Sequence, residues 1–343
     1  MSFKSKYIYI FVLFVLVVLI RENFDFTLGD RGAYLSMEGW DSEDALRNRL
    51  TAQIFSNLKY LGEFLFCIIY YKNVFKLSLI LFLNTKIKYS LNKRFTYYSI
   101  ILSLFAPVTI LFTSFAGKDI IAIYLASELC IDAVQLKYQK ETHKLNILKI
   151  FKFIIYSILL FIFRKMTMIF LLILVGLTIV QINKKIKSLS VIIFPIFLLP
   201  LIFYSDVIYQ SIAQEFVYQA KATYSDYSTF TTTNEFLTFG GFFINSYQMF
   251  TNVALIHFSE SFLKASLIFL NSFLSYIVTI FVSLVYFVKN LKIGNSFFFK
   301  AIFLLLFFVI NGFLSQNNPG GAIRYMSSII PVYTTFIFAI LPE

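Results

Sequence analysis

Three short polar connections between apolar runs hold the residues whose types could do chemistry. Gly117-Lys118-Asp119, Arg164-Lys165-Met166-Thr167 and Asn317-Asn318-Pro319-Gly320-Gly321-Ala322-Ile323-Arg324-Tyr325 each put a Lys or Arg where an apolar segment begins. If those segments are helices, each cation stands at an N-terminal end, where free backbone N–H groups and the positive dipole end already attract anions. Dipole pairing alone would place an acid there, as Asp119 does. A cation at such an end suits capture of an external anion such as a phosphate, and the guanidinium fork of Arg164 or Arg324 matches phosphate oxygens. Gly320 and Gly321 let the backbone approach an anion closely and form a nest of N–H donors. The competing reading makes Lys118 and Lys165 anchors for anionic headgroups.

The elements that must position these residues are read from composition. Hydrophobic residues make up 59% of the 343, and charged residues only 14%; the mean hydropathy is +0.77. A soluble domain carries roughly 25% charged residues, so the chain is expected to be an integral membrane protein. Its apolar stretches are long runs rather than alternating short segments, which predicts helices and not a barrel. The net charge of +12 points away from nucleic acid once the lysines are located, because they cluster between apolar runs.

Apolar windows predict an all-α polytopic bundle of roughly ten spans, with a range of about 10–12, in a single membrane domain over 1–343. The spans fall at about 7–20, 54–71, 95–116, 119–138, 150–163, 168–182, 189–204, 265–288, 297–314 and 325–341. Two stretches, 74–90 and 242–258, read equally as spans, interfacial helices or re-entrant pieces. No small-residue cleavage site precedes Arg21-Glu22-Asn23-Phe24, so the first apolar run is expected to be retained rather than cleaved as a signal.

Orientation follows from charge. With both termini inside, the inner connections hold Lys72, Lys76, Lys86, Lys88, Lys93, Arg94, Lys137, Lys140, Lys144, Lys149, Lys152, Lys184, Lys185, Lys187, Lys289, Lys292 and Lys300, as the positive-inside rule requires. The outer side then has two substantial segments. Residues 21–53 carry seven acids, four arginines and Trp40, and 205–264 form a long Tyr/Thr/Ser/Asn-rich connection. The break at 315–325 falls on the same outer side, where irregular backbone is tolerated.

Polar residues inside spans are Glu63, Glu128 and Asp132. Glu128 and Asp132 share one helix face, as a proton or cation relay would, or as structural pairing with a lysine such as Lys137 would. Glu63 needs a buried partner. Cys67 and Cys130 lie in apolar spans and read as core residues rather than a disulfide. No His/Cys/carboxylate spacing suits a transition metal, and no phosphate-loop or dinucleotide glycine motif precedes a helix. His257, at the end of the long outer connection, is a candidate general base near neutral pH.

The early Gly117-Lys118-Asp119, the long outer loop late in the chain, and Asn318-Pro319-Gly320-Gly321-Ala322-Ile323-Arg324-Tyr325 followed by Pro331 together resemble bacterial O-antigen and capsular polysaccharide polymerases, the Wzy-type proteins. The Phe-rich composition, with 44 phenylalanines, is similar too. The resemblance implies a membrane fold like the GT-C glycosyltransferases at the bacterial inner membrane. It implies polymerisation of undecaprenyl-pyrophosphate-linked repeat units on the outer face, for O-antigen or capsule, without cofactor or metal. Donor and acceptor are both lipid-linked glycans, and a chain-length regulator is an expected partner. Arg324, Arg164, Lys118, Gly320, Gly321 and Tyr325 would bind pyrophosphate; Asp119, Glu235 or His257 would serve the acceptor hydroxyl. Arg164 is followed by Lys165 where such proteins often carry proline. The alternatives from other classes are a repeat-unit flippase, which Glu128 and Asp132 would favour, and an O-antigen ligase centred on His257.

Overall fold

The computed structural model describes residues 12, 15, 18–19, 30–36, 46–88, 100–101, 104, 109, 113, 116–138, 147–182 and 319–340. Regular structure among them is entirely helical: α1 (Asp30–Ser36), α2 (Leu46–Lys88), α3 (Lys118–Tyr138), α4 (Ile147–Phe163), α5 (Lys165–Ile182) and α6 (Pro319–Thr335), which runs on into a π turn at Phe336–Ile340. The chain divides into two compact units. The first comprises Met1–Val175, Val278–Asn290 and Ser327–Pro342; the second comprises Gly176–Ile277, Leu291–Met326 and Glu343. The geometry that follows belongs to the first unit.

Helix positions agree with the apolar windows at 119–138, 150–163 and 168–182 to within three residues. The membrane count is not reached among the described residues. One helix there, Leu46–Leu83, is long and apolar enough to cross a membrane by length and composition. α3 interrupts its apolar run with Lys118, Asp119, Glu128 and Asp132, and α4 is only 17 residues long. The windows at 189–204, 265–288 and 297–314, and the ambiguous stretch 242–258, lie outside the described residues.

The other ambiguous stretch, 74–90, is neither a separate span nor a re-entrant piece as far as Lys88: it continues α2. The break in α2 comes earlier, at Lys59, whose φ of 48° and ψ of −135° are not helical. Lysine is a good helix former, so nothing in the sequence marks this corner. It folds the first arm back on the second. The rings of Phe55 and Phe66 lie 5.7 Å apart, whereas in an unbroken helix they would stand roughly 16 Å apart along the axis. Gly62 makes the closure possible, because a Cβ there would lie 2.9 Å from Leu58 Cβ and 3.1 Å from the Phe55 ring. Beyond the corner the helix runs on for roughly 43 Å.

α2 and α3 run parallel beyond that corner. Asn73 Nδ2 donates to Ser127 Oγ at 3.0 Å, and the Phe66 and Tyr124 rings meet at 5.9 Å. α3 and α4 run antiparallel, as their pairs show in order: Asp119 with Arg164, Tyr124 with Tyr156, and Glu128 with Lys152. Outward faces are apolar. α4 exposes Phe151, Ile154, Ile155, Ile158 and Phe161 while turning Lys152 and Tyr156 towards α3. α2 exposes Leu61, Leu65, Ile69, Leu79 and Leu83 on one stripe, with Lys59, Lys72 and Lys76 also exposed. This reverses the amphipathicity of a soluble helix, which turns its apolar stripe inward. Cys67 and Cys130 are free and fully buried.

α6 begins with Pro319 at its first position, where the missing N–H costs nothing. Inside α6, Pro331 removes one backbone donor, and the helix loosens into the π turn directly afterwards. Thr335 Oγ1 donates back to the Pro331 carbonyl at 2.7 Å.

The corner at Lys59 is testable. Lys59→Gly relieves a positive-φ lysine and should raise stability by about 1 kcal/mol net of glycine's greater unfolded-state entropy. Gly62→Ala should lower it by about 1–3 kcal/mol through overpacking. Thermal unfolding of the detergent-solubilised protein measures both, and opposite signs are expected.

Candidate anion-binding site

The first turn of α3 sets the site. Asp119 lies in that turn, where the helix dipole favours an acid, and it is 3% exposed. Arg164, 4% exposed, donates from Nη2 to Asp119 Oδ1. Arg164 is the single residue between α4 and α5. Its N–H donates to the Leu160 carbonyl at 2.7 Å, and its own carbonyl accepts from Met168 N–H at 3.2 Å, so it closes one helix and opens the next. The sequence reading weighed Arg164 only against the positive end of α5. It also stands at the carbonyl end of α4, where a cation is favourable. The dipole therefore does not by itself require an external anion at Arg164.

A second carboxylate ties the same end of the unit together. Glu63 receives Arg31 bidentately, Nε to Oε1 at 2.8 Å and Nη2 to Oε2 at 3.1 Å. Its Oε1 also accepts Ala116 N–H at 2.6 Å, a backbone donor just ahead of α3 that helix bonding leaves over. The Arg31 guanidinium lies 5.4 Å over the Tyr60 ring. Glu63 thus has the buried partner its position demands, supplied by α1. Asn48 Oδ1, in the first turn of α2, accepts from Tyr34 OH at 3.3 Å and from Lys118 Nζ at 3.5 Å. The N-terminal turns of α2 and α3 are thereby adjacent, with Arg164 at the second.

At the other end of the α3–α4 pair, Lys152 Nζ meets Glu128 Oε2 at 2.5 Å and Asp132 Oδ2 at 3.4 Å. It also lies 5.1 Å over the Tyr156 ring, and the Tyr156 and Tyr124 hydroxyls are 3.2 Å apart. The lysine that meets these two acids is Lys152, from the neighbouring helix.

Of the residues singled out in the sequence, Lys118, Asp119 and Arg164 are brought together. Gly320 and Gly321 lie in the first turn of α6 and Arg324 and Tyr325 in its second, all within the second unit. The glycines are helical rather than part of a preceding loop, so the N–H donors expected of a nest are the free first-turn donors of a helix. Further along α6, Ser328 Oγ lies 2.7 Å from Thr167 Oγ1, both buried. Glu235 and His257 lie outside the described residues. Sequence reasoning missed Arg31 as the partner of Glu63, Asn48 as the partner of Lys118, and the arginines flanking Asn48. The signal available was a set of arginines before and at the start of an apolar helix.

Comparison of the chain with protein-family models, with curated proteins and with solved structures finds no match.

Breaking a buried ion pair by removing one partner costs about 3–5 kcal/mol. Arg164→Ala and Asp119→Ala should each destabilise the protein by about that much. The double variant should lose less than the two singles combined, a coupling read by thermal unfolding across the four proteins.

Proposed function

We propose that the protein is a membrane polymerase of lipid-linked oligosaccharides, working at the outer face of the bacterial inner membrane. The observation that carries the reading is the Asp119–Arg164 pair with Lys118 next to it, at one end of the antiparallel α3–α4 pair in which α4 turns an apolar face outward. An electropositive end on an apolar body suits an amphiphile with an anionic head. The resemblance of the Gly-Lys-Asp and Asn-Pro-Gly-Gly-Ala-Ile-Arg-Tyr motifs to Wzy-type polymerases supplies the class of amphiphile, an undecaprenyl pyrophosphate bearing a glycan. The same reasoning assigns the chain to a bundle of roughly ten spans resembling the GT-C enzymes.

In this reaction the bond from the growing chain's anomeric carbon to the pyrophosphate oxygen breaks. A new bond forms from that carbon to a hydroxyl oxygen of the next repeat unit. The hydroxyl proton passes to a base, and undecaprenyl pyrophosphate leaves with its developing charge. Arg164 and Lys118 offset that charge electrostatically. Asp119, already committed to Arg164, acts as its positioning carboxylate, which fixes the guanidinium in place. Glu235 and His257 are the groups proposed for the acceptor proton. Arg324 is assigned to pyrophosphate by its sequence setting, beside two glycines at a helix start.

In a deletion strain complemented with Arg324→Ala, a lipopolysaccharide ladder should lose its long chains and keep core bearing a single repeat unit. A normal ladder would remove Arg324 from the mechanism. Absence of the single-unit band in the deletion strain itself would point to a flippase or ligase. Orientation has its own test: Asn317→Cys should react with an impermeant thiol reagent added from the periplasm, and labelling from the cytoplasm alone would invert the proposed topology.

A further inference from the structure

We infer that α1 is a latch holding α2 bent, and that α2 has a second, straight state in which the start of α3 is released. The corner at Lys59 is a strained joint in an otherwise continuous element. A φ of 48° with a ψ of −135° is a conformation that residues with a Cβ rarely adopt, and such strain persists only where surrounding contacts over-determine it. Both flanking arms are helical and lysine is a good helix former, so local preference runs toward one straight helix from Leu46 to Lys88. Opposing it, Phe55 is fully buried beside the Phe66 ring, and Arg31 of α1 straddles the corner. The Arg31 guanidinium lies over the ring of Tyr60, the residue after Lys59, and bonds bidentately to Glu63 about one turn further on. Their side chains are 19% and 2% exposed, a setting in which a charge-assisted fork is strong.

The bend places the start of α3 in its crook. Asn48 on the first arm accepts from Lys118 Nζ at 3.5 Å, and Glu63 on the second arm accepts from Ala116 N–H at 2.6 Å. α1 bridges the same two arms, with Tyr34 OH donating to Asn48 Oδ1 at 3.3 Å, one turn from Arg31 on Glu63. A straight α2 would set Asn48 and Glu63 roughly 22 Å apart along its axis, pulling the two grips apart. Latched, the first turn of α3 is clasped between both arms; unlatched, Lys118 and Asp119 are open to the ligand of that site. The two states do not depend on the polymerase reading, which only names the ligand whose access they would regulate.

The test measures the bend in the purified full-length protein in nanodiscs. Spin labels at Leu46→Cys and Lys72→Cys, both exposed positions, report the distance between the arms by double electron–electron resonance, with Cys67→Ala and Cys130→Ala removing the other thiols. A straight helix would separate the two positions by roughly 39 Å. The otherwise unaltered protein should give a single, clearly shorter distance. Arg31→Ala should add a second population near the straight length, and Arg31→Lys, which keeps the charge but loses the fork, a smaller one. Amide exchange at Ala116 should quicken in the same order. Lys59→Gly added to Arg31→Ala removes the strain at the corner and should restore the short distance. A single short distance in Arg31→Ala would overturn the latch, as would an unaltered protein already at the straight length. A broad distribution that Lys59→Gly does not narrow is loss of fold rather than a second state, and would overturn it too. A normal ladder for Arg324→Ala would count against the polymerase reading and leave the distances standing.

Discussion

A carboxylate withdrawn from water costs several kcal/mol unless a cation meets it, and the packing of the first unit answers that demand acid by acid. Glu63 on α2 is met by Arg31 from α1. Asp119 on α3 is met by Arg164 at the joint of α4 and α5. Glu128 and Asp132 share Lys152 from α4. Each pairing joins two different segments, so satisfying the charges also fixes which helices are neighbours and in which direction they run. Apolar contacts alone do not choose a direction, since most faces here are made of Leu, Ile and Phe.

The same constraint separates the two ends of the α3–α4 pair. One end has two helix starts side by side, Lys118 bonded across to Asn48, and Glu63 holding both an outer helix and the lead-in to α3. Its carboxylates Glu63 and Asp119 are met by Arg31 and Arg164, and Lys118 adds a further cation. At the opposite end a single lysine, Lys152, serves two acids.

Much of the helical layout was legible in the sequence, because uninterrupted apolar runs bounded by Lys, Gly and Asp mark helix extents wherever the chain is in lipid or protein. The start of α3 at Lys118 and the division at Arg164 could be read from a single glycine or a single charged pair between apolar runs. The corner at Lys59 could not, since a lysine at positive φ is set by packing of Phe55, Phe66 and Gly62 and not by local propensity. The partners of the buried acids were hidden for a related reason. Arg31 is 32 positions from Glu63, and Lys152 is 24 from Glu128, separations at which a single sequence has no periodic signal.

Across a bilayer, the exposed lysines of α2 would give the helix a built-in depth gauge. Lys59 and Lys76 lie roughly 26 Å apart along the axis, close to the thickness of a bilayer's hydrocarbon core. In a bilayer the two ammonium groups would extend toward opposite headgroup layers, with the exposed Lys72 one turn from Lys76 reaching for the same layer as Lys76.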